Sequence, residues 1–75
     1  MKTILIQLDS IDRVKEFVQT ITQFNNDFDM RSGRYTIDAK SILGIFSLDL
    51  SKPIELDIYG EDNQAVLEAL KPFQC

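Results

Sequence analysis

Four short segments of this chain alternate apolar and polar residues with a period of two, and that repetition restricts the fold more than any other feature. Ile4, Ile6 and Leu8 alternate with Thr3, Leu5 and Gln7. Phe28 and Met30 alternate with Asp27, Asp29 and Arg31. Tyr35, Ile37 and Ala39 share one side of a third segment, and Ile54, Leu56 and Ile58 alternate with Glu55, Asp57 and Tyr59 in a fourth. Side chains of a strand point to opposite faces in turn, so each segment predicts a strand with one buried and one wet face. Strands of a parallel sheet are covered on both faces and read as continuous apolar runs. Four one-sided strands therefore predict an antiparallel sheet open to water on one face, with every helix on the other.

The residues between these strands supply the helices. Ile11, Val14, Phe17, Val18, Ile21 and Phe24 recur at helical spacing, while Arg13, Lys15, Glu16, Gln19 and Thr20 point away. Asp9 and Ser10 offer an N-cap, Asp12 an acid in the first turn, and Asn25-Asn26 a stop. Ser32-Gly33 supplies a tight turn, because glycine tolerates positive φ. Ser41 caps a short helix over Ile42 to Leu48, interrupted by Gly44, and Asp49 to Pro53 form a loop. Gly60-Glu61-Asp62 opens a last helix, acid-rich at its start, whose buried side is Val66, Ala69, Leu70 and Phe73, with Pro72 at its end. The order is β-α-β-β-α-β-α, an α+β domain over residues 1–75 with three helices on one face of a four-stranded sheet.

A chain of 75 residues has room for one core, and buries only about 60% of the surface its unfolded form exposes. Twelve acids against eight bases give a net charge of −4, and the bases are scattered. Nucleic acid is excluded as a partner, because phosphate binding needs a basic patch. The first apolar run stops at Leu8 and alternates with polar residues, so it predicts neither a signal peptide nor a membrane span. The one cysteine, Cys75, excludes a disulfide within the chain and fits a reducing, cytoplasmic setting. As the last residue it reads as an exposed end.

The stretch Ala39-Lys40-Ser41-Ile42-Leu43-Gly44-Ile45-Phe46-Ser47-Leu48 resembles the regulatory-serine segment of HPr, the phosphocarrier of the bacterial phosphoenolpyruvate:sugar phosphotransferase system. The run Ile54 to Asp62 is also similar to that family, as are Phe17-Val18-Gln19 and Phe24-Asn25-Asn26-Asp27. The resemblance implies an HPr-like open-faced β-sandwich. It also exposes a departure. Phosphocarriers of the family carry a His-x-Arg-Pro motif at the first helix, and the histidine ring takes the phosphoryl group. Counted back from Val18-Gln19, that motif falls on Ser10-Ile11-Asp12-Arg13, and the chain has no histidine anywhere. A serine hydroxyl needs a base to become nucleophilic and forms an ester that transfers poorly. Asp12, where the family has Arg, repels an incoming phosphate instead of gripping it. Histidine phosphotransfer is excluded, and Ser10 reads as a helix cap.

By the same resemblance Ser41 is the position of a regulatory phosphorylation. Its bland role is an N-cap worth about 1 kcal/mol; the sharper one is a phosphoserine at a helix N-terminus, with Lys40 beside it to pair with the phosphate. Ile42, Leu43, Ile45 and Phe46 are more apolar residues than so short a helix can bury, which predicts a partner surface built with Lys40. Asp27, Asp29, Glu55 and Asp57 read as solvated strand residues and not as a metal site, and Gly33, Gly44 and Gly60 as turn or packing glycines. The expected function is that of a non-catalytic regulator or adaptor needing no cofactor, like a histidine-less paralogue within the family, although that paralogue keeps the Arg and Pro missing here. Its partners by resemblance are an HPr kinase/phosphorylase and a transcriptional regulator. The alternative is a divergent structural or interaction module with no remaining role in sugar transport; the oligomeric state stays open.

Overall fold

The computed structural model describes residues 1–61 and 63–75. Strands β1 (Lys2–Ile6), β2 (Phe28–Ser32), β3 (Tyr35–Asp38) and β4 (Ile54–Ile58) form one sheet in the order β1-β4-β2-β3, every neighbouring pair antiparallel. Helices α1 (Ile11–Ile21), α2 (Ile42–Ile45) and α3 (Gln64–Leu70) pack on one face, and a 3-10 turn, Lys71–Phe73, follows the last. This is the α+β arrangement that the one-sided strands predict. The core lies between the layers: Ile6, Met30, Leu56 and Ile58 from the sheet meet Val14, Phe17, Ile21, Val66 and Leu70 from the helices, all essentially without solvent contact. No helix among the described residues is long and apolar enough to cross a membrane.

Several elements end earlier than their apolar spacing suggests. Helix α1 stops at Ile21 because the next amides tighten to the carbonyl three residues back, Gln23 onto Thr20 and Phe24 onto Ile21. Phe24 therefore sits in a turn beyond the helix, and still packs against the core. The expected helix over Ile42 to Leu48 is a single turn ending at Ile45, with Ser47 and Leu48 closing the same kind of tight bonds onto Gly44 and Ile45. Helix α3 starts at Gln64 with no acid in its first turn, and Glu61 precedes it; the Asp62 part of the predicted start lies outside the described residues. Tyr35, placed by alternation on the apolar face with Ile37 and Ala39, is 70% exposed, since it stands at the hairpin end of an edge strand.

The chain's return from β4 to α3 depends on Gly60, whose φ of 120° is one that side chains rarely adopt. A Cβ there would lie 2.6 Å from Asn26 Nδ2, the same nitrogen that donates to the Tyr59 carbonyl at 2.7 Å and to Asn63 Oδ1 at 3.2 Å. Gly60→Ala should cost about 1–3 kcal/mol, from strain plus the displaced amide. Gly33, also at positive φ, has nothing within 4 Å of a built Cβ, so Gly33→Ala should cost less. Thermal unfolding of the two variants checks the order, and equal losses would remove the role given to Asn26.

Candidate functional site

The site grows from the start of α1. Ser10 has an extended backbone and its Oγ accepts the Arg13 amide at 3.1 Å, so it is the N-cap. Asp12 follows in the first turn, exposed. Arg13 turns away from this end: its guanidinium donates to the Pro72 carbonyl, lies 4.4 Å over the Phe73 ring and pairs with Glu16 at 3.5 Å. The ring of Phe73 in turn meets Phe17 edge-on, centroids 5.6 Å apart. Arg13 thus fastens α1 to the C-terminal turn, and its charge is spent there.

Ser41 is built the same way one connection later. Asp38 shapes the approach, its Oδ1 accepting the Lys40 amide at 2.9 Å, and Ser41 Oγ accepts the Gly44 amide at 3.3 Å. Gly44 is needed for closeness, because a Cβ there would stand 3.2 Å from both Ile37 Cδ1 and Ser41 Oγ. The Ser41 hydroxyl stays exposed. Lys40 does not sit free beside it, as the sequence suggests: Nζ donates to the Phe24 carbonyl at 2.9 Å and lies 5.6 Å over the Phe28 ring. That ammonium is engaged across the corner between α1 and β3, so pairing with a phosphate on Ser41 requires it to leave two partners.

The predicted partner surface divides. Ile45 is fully buried and Ile42 packs against the core, so neither presents a docking face. Residues three apart share a side of a helical turn, which sets Ile42 and Ile45 inward and Leu43 and Phe46 outward, 81% and 41% exposed. Phe46 shares a groove with two residues that the sequence pattern did not single out for a surface. Ile11, assigned to the buried stripe of α1, is 62% exposed, because a first-turn residue overhangs the end of the helical layer. With Leu50 these two supply the apolar lining of an open groove of about 380 Å³, whose other lining residues are Gln7, Asp9, Ser10 and Ser51. The fold therefore brings Ser10 and Phe46 to one groove, and Ser41 does not line it.

The open sheet face holds a second arrangement that the alternation concealed. Asp57, expected to be solvated, is 5% exposed. Thr3 Oγ1 donates to it at 2.6 Å, and Arg31 donates through Nε and Nη2 at 2.8 and 2.9 Å. Arg31 also pairs with Glu55 at 2.8 Å. The hydrogen bond from Arg31 and then that from Thr3 hold the Asp57 carboxyl below its usual range, and the same Asp57 bond raises Arg31. Asp27, Asp29 and Asp38 line a shallow concavity with Tyr59, whose hydroxyl donates to Asp29 Oδ2 at 3.0 Å; that bond raises the tyrosine pKa.

Comparison with known proteins gives this architecture relatives. Residues 13–74 match the family described as the PTS HPr component phosphorylation site, a match that begins at Arg13, past Ser10. The HPr-like protein Crh of Bacillus subtilis (strain 168) is 36% identical over 59 residues, 76% of this chain and 69% of that protein. Among solved structures, HPr-C-His from Thermoanaerobacter tengcongensis superposes with a TM-score of 0.78 at 28% identity, over 93% of this chain and 86% of that one. The phosphocarrier protein HPr from Bacillus anthracis str. Ames gives 0.73 at 28% identity, over 99% and 94%. A family match over most of the length, joined to the same sheet with its helices on one face, means that the chain belongs to the HPr-like family of the phosphotransferase system.

Proposed function

We propose that this chain is a single-domain, non-catalytic HPr-like regulator that works by docking protein partners, and that phosphorylation of Ser41 gates the docking. The observation that carries the reading is the residue at the helix start. The chain contains no histidine, and by the resemblance the histidine position of the family's phosphocarriers falls on Ser10. Ser10 Oγ is occupied as an acceptor by the Arg13 amide, and without an imidazole there is no group to hold a transferable phosphoramidate. What remains is surface: Leu43 and Phe46 exposed beside a helix-capping serine. A phosphoryl oxygen can replace Ser41 Oγ as acceptor for the Gly44 amide, so the modification is compatible with the turn. The partners in this reading are an HPr-type kinase/phosphorylase, acting on Ser41, and a transcriptional regulator bound by the modified form, in a cytoplasmic setting.

A second reading, an interaction module in which Ser41 only caps α2, draws support from Lys40, whose ammonium is already bonded to the Phe24 carbonyl. One assay separates the two. Incubated with an HPr kinase/phosphorylase and ATP, the protein should gain about 80 Da, one phosphoryl group replacing a hydroxyl proton, and Ser41→Ala should gain nothing. Wild type that stays unmodified under conditions that phosphorylate HPr would leave only the second reading. Acceptance of phosphate from phosphoenolpyruvate and its delivery to a sugar permease would end both.

A further inference from the structure

We infer that the outer edge of β3 pairs with the same edge of a second copy, antiparallel about a two-fold axis at Thr36, so that two four-stranded sheets join into one. The sheet has two edges, and the chain closes only one of them. Beyond β1 its own C-terminal residues continue the pairing: Ile6 bridges to Gln74, the Gln7 amide donates to the Phe73 carbonyl at 2.9 Å and the Cys75 amide to the Leu5 carbonyl at 3.2 Å. Among the described residues no segment pairs with the outer side of β3.

The hairpin decides which groups that edge presents. Gly33 and Arg34 form a two-residue turn between the paired Ser32 and Tyr35, and the Ala39 amide donates to the Phe28 carbonyl at 3.0 Å. Hydrogen-bonded residues alternate along an antiparallel pair. Tyr35, Ile37 and Ala39 therefore bond inward to β2, while Thr36 and Asp38 aim their main-chain groups outward. The Asp38 carbonyl already accepts the Ser41 amide at 3.0 Å, which ends the free edge there. From Tyr35 to Asp38 the edge has no bulge, proline or lysine, the devices that commonly keep an edge strand from pairing.

Side chains select both the occupant and the register. Read antiparallel about Thr36, the run Arg34-Tyr35-Thr36-Ile37-Asp38 is its own complement: Thr36 meets Thr36, Tyr35 meets Ile37 twice, and Arg34 meets Asp38 twice. Tyr35 is 70% exposed in the single chain, and an aromatic ring opposite a β-branched residue is a favourable cross-strand pair. The two charges go unanswered within one chain. Four residues of strand separate them, about 13 Å, and among the described residues Arg34 forms no ion pair. Asp38 stands opposite Asp29 and shares a concavity with Asp27. The cations nearby are engaged, Arg31 on Asp57 and Glu55 and Lys40 on the Phe24 carbonyl. A second copy's Arg34 supplies the base that Asp38 lacks. Moving the axis to Ile37 would set Arg34 against Lys40 instead, and like charges directly opposite are destabilising.

Sedimentation equilibrium of the full chain should show a monomer–dimer equilibrium. It should be weak, developing toward millimolar protein, because so short a contact buries little surface. The NMR amide signals of Thr36 and Asp38 should shift over the same concentrations. Thr36→Pro removes an outward N–H and leaves the bonds to β2 in place, so it should give a folded monomer. Arg34→Asp and Asp38→Arg should each weaken the dimer at least about tenfold. An equimolar mixture of those two variants should restore it, since opposite charges then face each other at both ends. Signal dispersion confirms that each variant is folded. Wild type that stays monomeric at millimolar concentration overturns the inference. So does a dimer that survives Thr36→Pro or either charge reversal, and so does one that mixing the two charge variants fails to restore. None of these outcomes bears on the docking reading, because no residue of β3 lines the groove of Ser10 and Phe46.

Discussion

Phe17→Ala should remove about 3–5 kcal/mol of stability, the largest loss expected from a single side chain here. At 0.05–0.15 kcal/mol per residue a chain of 75 has on the order of 4–11 kcal/mol in all, so the variant should give up a large share of its stability. Phe17 has no solvent contact and stands at the centre of the buried face of α1, between Val14 and Ile21. Its loss would empty a ring-sized volume and also remove the edge-on contact to Phe73. Because Arg13 lies over that same Phe73 ring, the vacancy would loosen the column that holds the start of α1, and with it Ser10 and Ile11. Phe17→Leu keeps most of the volume and should lose about 1–2 kcal/mol. Urea unfolding measures both. A Phe17→Ala midpoint within error of wild type would show that the helical layer is not held as the packing indicates.

Asp57→Asn is the second. It should cost about 2 kcal/mol near neutral pH, since an amide cannot accept two bonds from Arg31 and one from Thr3. The figure belongs at the low end for a covered charge, because the cover is a layer of side chains on a wet sheet face and the freed Arg31, 42% exposed, rehydrates. The acid dependence follows from the direction of the shift. Asp57 is lowered in the folded protein relative to about 3.9 for an unfolded aspartate. The stability it contributes is fully present above that value and is lost as pH falls through the lower folded one. Wild type should therefore lose stability below about pH 4, and the Asn variant should lose less over the same interval, so that the two curves converge. Parallel curves would mean that Asp57 titrates as it does in the unfolded chain.

Which face of each strand is buried was legible because a strand's period leaves no choice: Met30, Leu56 and Ile58 are all interior. What lies beside what was not. Alternation put Asp57 on the open face, but nothing local says that β4 runs between β1 and β2. Without that order Thr3 and Arg31 cannot be seen to flank the same carboxylate. The apolar excess over residues 42–48 was legible too, and the three-residue pairing that turns Ile42 and Ile45 inward follows from helical geometry alone. Ile11 escaped because spacing reports which side of a helix a residue is on and not whether the neighbouring layer extends that far. The groove joins residues from α1 and the turn after α2, and only the packed structure brings them together.

The two fastenings of α1 have a common chemistry. Arg13 at its beginning and Lys40 past its end both donate to main-chain oxygens, of Pro72 and Phe24. A peptide carbonyl has no proton to gain even below about pH 4, whereas the clasp over the sheet depends on a carboxylate that does. Acid should therefore undo the molecule from one side, fraying the β1–β4–β2 clasp while the helix stays moored to its neighbours. The two faces of this small protein would then answer one stress on different schedules.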